Sequence, residues 1–401
     1  MAGGERGAWA VFLIFLRLGL SSFGGPVAHL AYFHNEFVLR RRWLSAGSYA
    51  DLVALCQALP GPASSQLGMA LGLMRAGYRG ALAAWAGFTL PSAAVLILFA
   101  AGIRHYGEWV APGLLHGLKV AAVAVVAQAL WEMAAKLCTD SARIGVMAAA
   151  SCALLLLPSA WTQIAVIVVA ALAGVALLQP AQEPPHEDLP VAIRRRAGIV
   201  WLTLFLTLLF GLPLLARLFP HPALAMTDTF FRAGSLVFGG GHVVLPLLQA
   251  EVVPAGWVDN ETFLAGYGAA QAVPGPLFTF AAFLGGAARG PVTGWLGGLL
   301  CLLAIFAPSF LLVAAALPFW AQLRRNSTMQ AALAAVNAAV VGLLLAALYQ
   351  PVWTSAVHRP ADFALALLAW LALTVWKCPP WLVVVTSAAL GLLLSVMPFL
   401  P

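Results

Sequence analysis

The chain has 401 residues, of which 62% are hydrophobic and 9% charged, with a formal net charge of +7. Soluble globular domains carry about 25% charged residues, so the composition excludes an ordinary soluble domain and places the chain in the membrane class. The basic residues sit in short clusters between apolar runs, as in loops on the cytoplasmic side of a membrane, which excludes a nucleic-acid partner.

In chain order, residues 8–38 form an apolar stretch interrupted by Arg17 and by Ser-Ser-Phe-Gly-Gly-Pro at 21–26, where a signal peptide would carry a small-x-small cleavage site. Gly-Gly-Pro breaks a helix. Each arm is then about 14 residues, or about 20 Å, too short for a hydrocarbon core of about 30 Å. A re-entrant hairpin is expected, with simple full crossings as the alternative. After Arg40, Arg41 and Arg42, residues 47–76 repeat the plan around Pro60-Gly61-Pro62. Apolar runs follow at 81–103 and 114–135, and 144–178 is long enough for two short tilted spans around Pro158. Residues 179–198 are polar, rich in Pro and charge, and read as a cytoplasmic linker. Further apolar runs lie at 197–216, 292–320, 329–350, 361–376 and 381–400. Period-two alternation is absent, so helices and not a barrel are expected to span. Cys56, Cys138, Cys152, Cys301 and Cys378 are scattered, with no histidine at metal spacing, and read as buried apolar residues.

The chain repeats itself. FLRLGLSSFGG at 15–25 and FFRAGSLVFGG at 230–240 share six of eleven positions at an offset of 215. Glu36 matches Glu251, QALPGP at 57–62 matches QAVPGP at 271–276, LPS at 90–92 echoes APS at 307–309, and VAAVAVV at 120–126 echoes VNAAVVG at 336–342. Matches in one order define two halves, 1–178 and 226–401, joined by the linker 179–198 and a connecting helix within 199–225. The loop after the first motif carries Arg40–Arg42, whereas its counterpart carries Glu251, Asp259 and Glu261. The loop near 104–112 has one Arg and one Glu, whereas its counterpart has Arg324 and Arg325. Positive loops stay cytoplasmic, so the halves are expected to be inverted, with a cytoplasmic N-terminus. The expected fold is an all-α polytopic membrane protein of two inverted-topology repeats. Each holds broken or re-entrant helix pairs, at GGP and PGP breaks, plus spanning helices.

Broken backbone at membrane depth survives only where it is buried in protein or lines a wet cavity. A helix restarting there aims free N–H groups and a positive dipole end at that cavity. Four breaks can meet on the repeat axis as an anion site. The candidates are Ser21, Ser22, Gly24, Gly25, Gly61 and Ser64 in half one and Gly239, Gly240 and Gly275 in half two, with Gln57 and Gln271 one turn before each PGP. Ser65, Gln66 and Thr279 add hydroxyls and an amide. Arg17 and Arg232 occupy the same repeat position inside apolar stretches and are functional candidates, snorkelling to a headgroup being the alternative. Replacing either is expected to abolish transport and leave the protein in the membrane. His29 and His242 lie near breaks at unmatched positions; each could bind an anion, titrate, or be a satisfied interior histidine. Glu36 and Glu251 could couple protons or be plain interfacial acids. Asp51 has Ala265 as its counterpart, so any role it has is asymmetric. Walker A, HExxH, GxSxG, dinucleotide and haem-attachment motifs are absent, so neither an enzyme nor a cofactor or metal site is expected. Energy should come from ion gradients or the membrane potential. The partners expected are an anion and the lipid bilayer, and a homodimer is compatible.

FLRLGLSSFGGPVAHLAYFHNEFV followed by ALCQALPGP, repeated as FFRAGSLVFGGGHVVLPLLQAEVV and AAQAVPGP, closely resembles the chromate ion transporter family in its long two-domain form. The resemblance covers nearly the whole chain. It implies efflux of chromate across the bacterial inner membrane and chromate resistance, with sulfate, the isostructural dianion, as the natural competitor. An anion channel, or a transporter of another oxyanion on the same scaffold, is the alternative. The motif positions it carries over are Arg17, Phe23, Gly24, Gly25, Pro26, His29, Glu36, Gln57, Pro60, Gly61 and Pro62, then Arg232, Phe238, Gly239, Gly240, Gly241, Glu251, Gln271, Pro274, Gly275 and Pro276. Gly241 stands where half one has Pro26, which weakens strict functional symmetry.

Overall fold

Helix breakers and side-chain caps set where each segment starts and stops. The computed structural model describes residues 7–106, 111–178, 193–238, 241–323 and 326–396. In half one, α1 (Ala8–Ser21) ends at the Gly-Gly-Pro break, and α2 (Gly25–His34) leaves it and continues as a π-helical turn to Arg40. α3 (Ala46–Ala58) ends at the first PGP turn, and α4 (Ala63–Tyr106) folds on itself at Ala76–Gly77 into an arm and a long helix. α5 (Pro112–Leu137), α6 (Ser141–Leu156) and α7 (Ala160–Leu177) complete the half, with Asp140 capping α6 and Ser159 capping α7. α8 (Arg195–Leu218) stands between the halves.

Half two runs through the same plan. α9 (Pro222–Leu236) and α10 (Val244–Val252) flank its first break, and α11 (Asn260–Ala272) and α12 (Phe280–Ala287) flank its PGP turn. α13 (Gly294–Ala316), the single turn α14 (Trp320–Leu323), α15 (Ser327–Ala347), the single turn α16 (Thr354–Ala356), α17 (Pro360–Thr374) and α18 (Pro380–Val396) follow. Ser45 caps α3 and Asp259 caps α11 from matching repeat positions. The apolar runs read from the sequence correspond to these helices, and the 144–178 run divides at Pro158 into α6 and α7. α8 begins three residues before the end of the stretch read as linker. Its first-turn arginines are exposed, so their charge stays outside the apolar part of the helix. Residues 179–192, Gly239, Gly240, Arg324 and Arg325 lie outside the described residues.

The broken pairs fold back as hairpins. Phe15 on α1 lies 5.5 Å from Phe33 and 5.1 Å from Phe37, ring centre to ring centre. In one continuous helix residues that far apart in sequence would be about 27 Å or more apart. In half two, Arg232 on α9 pairs with Glu251 on α10 at 3.0 Å. Across the second PGP turn, Phe263 and Phe280 stack edge to face at 5.1 Å. Beyond the hairpins, α5, α8, α13 and α15 are long and apolar enough to cross a membrane, as is the long helix of α4. The chain is a multi-pass membrane protein.

The halves interlock by exchange. α5 of half one packs on α17 and α18 of half two, while α15 of half two packs on α6 and α7 of half one. Small residues make this close: a methyl on Gly117 of α5 would strike the Ser387 carbonyl of α18, and one on Gly174 of α7 would lie 2.5 Å from the Ala331 carbonyl of α15. α8 leans mainly on half two, through Phe205 against Phe231 and Trp201 against Phe310, and reaches half one where the Trp201 indole N–H donates to the Tyr78 hydroxyl at 2.9 Å.

Candidate functional site

The four breaks meet and hydrogen-bond across the halves. The Gly61 N–H, in the first PGP turn, donates to the Val237 carbonyl at the break after α9, at 2.6 Å. Reciprocally, the Gly275 N–H donates to the Ser22 carbonyl at the break after α1, at 3.0 Å. Ser22 and Val237 are repeat equivalents, as are Gly61 and Gly275. The second residue of each PGP turn has to be glycine: φ is +127° at Gly61 and +104° at Gly275. A β-carbon on Gly61 would sit 2.5 Å from Ser309 Oγ, and one on Gly275 would sit 2.9 Å from Ser92 Oγ. Those two serines close the LPS and APS echoes, so each half's long helix supports the other half's turn. Pro26 and its equivalent Gly241 also face each other, 3.7 Å from Pro26 Cγ to a β-carbon placed on Gly241.

His29 ties this crossing together in half one. Its Nε2 lies 3.2 Å from the Ser22 carbonyl, and its Nδ1 lies 3.3 Å from Ser64 Oγ. A carbonyl only accepts, so Nε2 carries the proton and Nδ1 accepts from the Ser64 hydroxyl. Both ring nitrogens are engaged, which makes His29 a brace and leaves it no nitrogen for a ligand. The equivalent position in half two is Val244. His242 is braced differently, with Nδ1 2.8 Å from the Tyr267 hydroxyl.

Around the crossing, polar atoms are buried without partners. Ser22 Oγ, Ser65 Oγ, Gln66 Oε1, Thr89 Oγ1, Gln271 Nε2 and Ser309 Oγ account for six of the eleven such side-chain atoms among the described residues. An unsatisfied buried polar atom costs about 1–3 kcal/mol, so this concentration marks a place completed by water or a ligand.

The other candidates are distributed unevenly. Arg17 is exposed on one stripe of α1 with Trp9, Leu13 and Leu20, and no acid pairs with it among the described residues. Arg232 is instead held by Asp228 at 3.0 Å and Glu251 at 3.0 Å. Glu36 binds Arg40 and Arg41, not Arg17. The two arginines therefore share a repeat position without sharing an environment, because Asp228 has Leu13 as its counterpart. Ser21 is exposed and turns its hydroxyl back to the Arg17 carbonyl. Gln57 is exposed at the end of α3, and Gln271 is half-buried. Gly24 and Gly25 supply the left-handed backbone of the first break, with φ of +100° and +75°. Thr279 donates to the Pro276 carbonyl. A cavity of about 420 Å³ lies elsewhere, between α6, α7, α10 and α15. Its lining holds no charged residue and none of the break residues, so the bonded crossing is the better candidate.

Ser309, Ser92, Thr89 and Asp228 escaped the sequence reading. The LPS and APS echoes pointed to the two serines, but only the packing of α4 and α13 gives them a partner turn. The repeat comparison hid Asp228 by matching it to leucine.

The comparisons with known proteins agree with this architecture. The chromate transporter family profile matches residues 9–175 and 224–392, one match per half. A probable chromate transport protein of Synechococcus elongatus is 26% identical over 392 residues, covering 94% of this chain and 93% of that one. The chromate transport protein of Pseudomonas aeruginosa is 27% identical over 358 residues, covering 83% and 78%. That of Cupriavidus metallidurans is 26% identical over 398 residues, covering 95% and 91%. No solved structure matches the chain. With both halves matched by the one profile, the chain belongs to the chromate transporter family.

Proposed function

We propose that the protein is a secondary transporter that exports chromate, a tetrahedral oxyanion of sulfate-like shape, from the cytoplasm across the bacterial inner membrane, and so confers chromate resistance. The observation that carries this reading is the crossing, where orphaned hydroxyls and amides gather at the restarts of broken helices. Such restarts favour anions. The relatives named for chromate transport support the choice of anion. The glycine turns are packed against side chains of the opposite half, so the hairpins must part for an anion to pass. That favours a carrier over an open channel.

Export needs little help. A negative interior drives out each charge with about 2.3 kcal/mol per 100 mV. A dianion gains about 4.6 kcal/mol, roughly a 2,000-fold gradient. The expected outcome in sealed vesicles is chromate flux under an imposed potential, reduced by competing sulfate. Flux of some other solute in its place would sink the reading, and flux that never runs uphill under any ion coupling would favour a channel.

The inverted arrangement belongs to the same proposal. If the shorter apolar helices α6, α7, α17 and α18 cross along with the five long ones and the four hairpins re-enter, alternation puts Arg40–Arg42, Arg75, Arg79, Lys136, Arg143, Arg194–Arg196 and Lys377 on one face with the N-terminus. Arg104, Arg217, Arg289 and Arg359 fall on the other, two of them paired with acids. The positive-inside rule then places the N-terminus in the cytoplasm. Single cysteines at 40–42 and at 255–259 are expected to label from opposite sides; labelling from one side would refute the inversion.

A further inference from the structure

The cavity of about 420 Å³ between α6, α7, α10 and α15 opens toward three turns. Pro158 and Ser159 between α6 and α7, Pro254 after α10 and Gln350 after α15 are exposed and form its rim. By the alternation of crossings above, all three turns lie on the face away from the N-terminus. Leu154, Gln249, Leu343 and Ala346 are buried and form its floor. At about 30 Å³ per water the space holds on the order of ten waters, enough for an anion with part of its hydration shell.

The floor has a polar atom that lacks a partner. Gln249 donates from Nε2 to Asn260 Oδ1, and Asn260 Nδ2 donates to Ser355 Oγ, which leaves Gln249 Oε1 buried and unbonded. Both amides can turn over together, with the Ser355 hydroxyl donating, and Gln249 then offers a free N–H instead. Either way the floor has a hydrogen bond to give to what fills the cavity.

A second space, of about 20 Å³, lies between α7, α9 and α10. That is room for about one water. Gln163 lines both spaces, and its amide nitrogen is loosely held, 3.4 Å from the Pro246 carbonyl. Arg232, Glu251 and Leu236 line the small one. Leu236 directly precedes Val237, whose carbonyl receives the Gly61 N–H of the crossing. The crossing, Arg232, Gln163 and the cavity therefore follow one another, and the narrowest point is at the Arg232–Glu251 pair.

We propose that the cavity is the outer vestibule through which the oxyanion leaves, and that the Arg232–Glu251 pair is the gate between it and the crossing. The inference rests on the transport reading above. Glu251 occupies Nη1 of Arg232, while Asp228 holds Nε. When α10 draws away from α9, Glu251 leaves with it, and the freed guanidinium edge is left in a space that Gln163 also lines. Asp228 stays on the same helix as Arg232, so the arginine keeps its orientation without Glu251. Half one lacks this gate, since Arg17 is exposed and Glu36 binds Arg40 and Arg41.

The test uses right-side-out vesicles loaded with chromate. A membrane-impermeant thiol reagent, sulfonatoethyl methanethiosulfonate, is added outside and washed away before efflux is measured. Gln163→Cys places a thiol at the neck, and Ala250→Cys, a change of one atom that carries the test if the first variant misfolds, places one on the cavity wall. Tyr106→Cys places one at the exposed outer end of α4, away from the cavity. The wild type, with its own five cysteines, sets the background. Modification from outside is expected to remove most of the efflux in Gln163→Cys and Ala250→Cys and none in Tyr106→Cys. External sulfate, used because chromate oxidises thiols, is expected to slow modification of both cavity thiols severalfold. Cavity thiols modified with efflux unimpaired would overturn the inference, as would thiols reached only from the cytoplasmic side or from neither side. So would a block that sulfate does not slow, since the reagent would then be jamming a hairpin and not filling a path. A wild type that carries no oxyanion at all would instead refute the transport reading itself.

Discussion

Arg232→Ala is expected to destabilise the protein by roughly 3 kcal/mol, while Arg17→Ala changes stability by less than about 0.5 kcal/mol. Arg232 is the shared counter-charge of Asp228 and Glu251, and it holds α9 against α10. Removing it leaves two carboxylates facing each other, Asp228 with only 9% of its side chain exposed. Truncating one partner of a buried pair is costly because the charge left behind is uncompensated. Arg17 has no such dependants. To the expectation from the sequence, that either replacement abolishes transport and leaves the protein in the membrane, the ion pairs of Arg232 add a loss of stability for that variant alone. Melting curves of the purified protein in detergent measure the difference. Adding Asp228→Asn and Glu251→Gln to Arg232→Ala should restore most of the loss. Equal melting temperatures for the two single variants would refute the assignment.

Gly61→Ala and Gly275→Ala are each expected to reduce transport by about a hundredfold or more, the largest effects anticipated for single methyl groups. Two costs combine. Each residue holds a left-handed backbone that L side chains rarely adopt, worth about 1–3 kcal/mol. Each new β-carbon would also press on the serine of the opposite half, and displacing the turn would break its N–H bond to the partner break. Gly77→Ala separates these costs. Gly77 has φ of +64° but nothing within 4 Å of its would-be β-carbon, so it carries the strain alone. Vesicle flux normalised to folded protein is the readout. A Gly77→Ala variant as impaired as Gly61→Ala would show that strain, and not the crossing, sets the loss.

Much of the architecture was legible because it depends on local chemistry. Apolar runs of spanning length and Gly-Gly-Pro and Pro-Gly-Pro breaks act through the residues themselves, as does the alternation of basic loops. They marked the helices, the hairpins and the two halves. The site was less legible. Arg17 and Arg232 look alike in the repeat, yet one is exposed and the other bridges two acids. The difference comes from Asp228, which the comparison of halves pairs with Leu13. His29 could bind, titrate or brace by sequence, and its two ring contacts select bracing.

By itself, then, the sequence determined a membrane protein of two repeated halves, each containing two broken helix pairs. Hydrophobic length and helix breaking are properties of short segments and need no partner. Only the tertiary structure decided which break bonds to which. It joined Gly61 to Val237 and Gly275 to Ser22, and it carried Ser309 from half two to the first PGP turn. Those pairings follow from the exchange of helices between the halves, a long-range packing choice that no local pattern encodes.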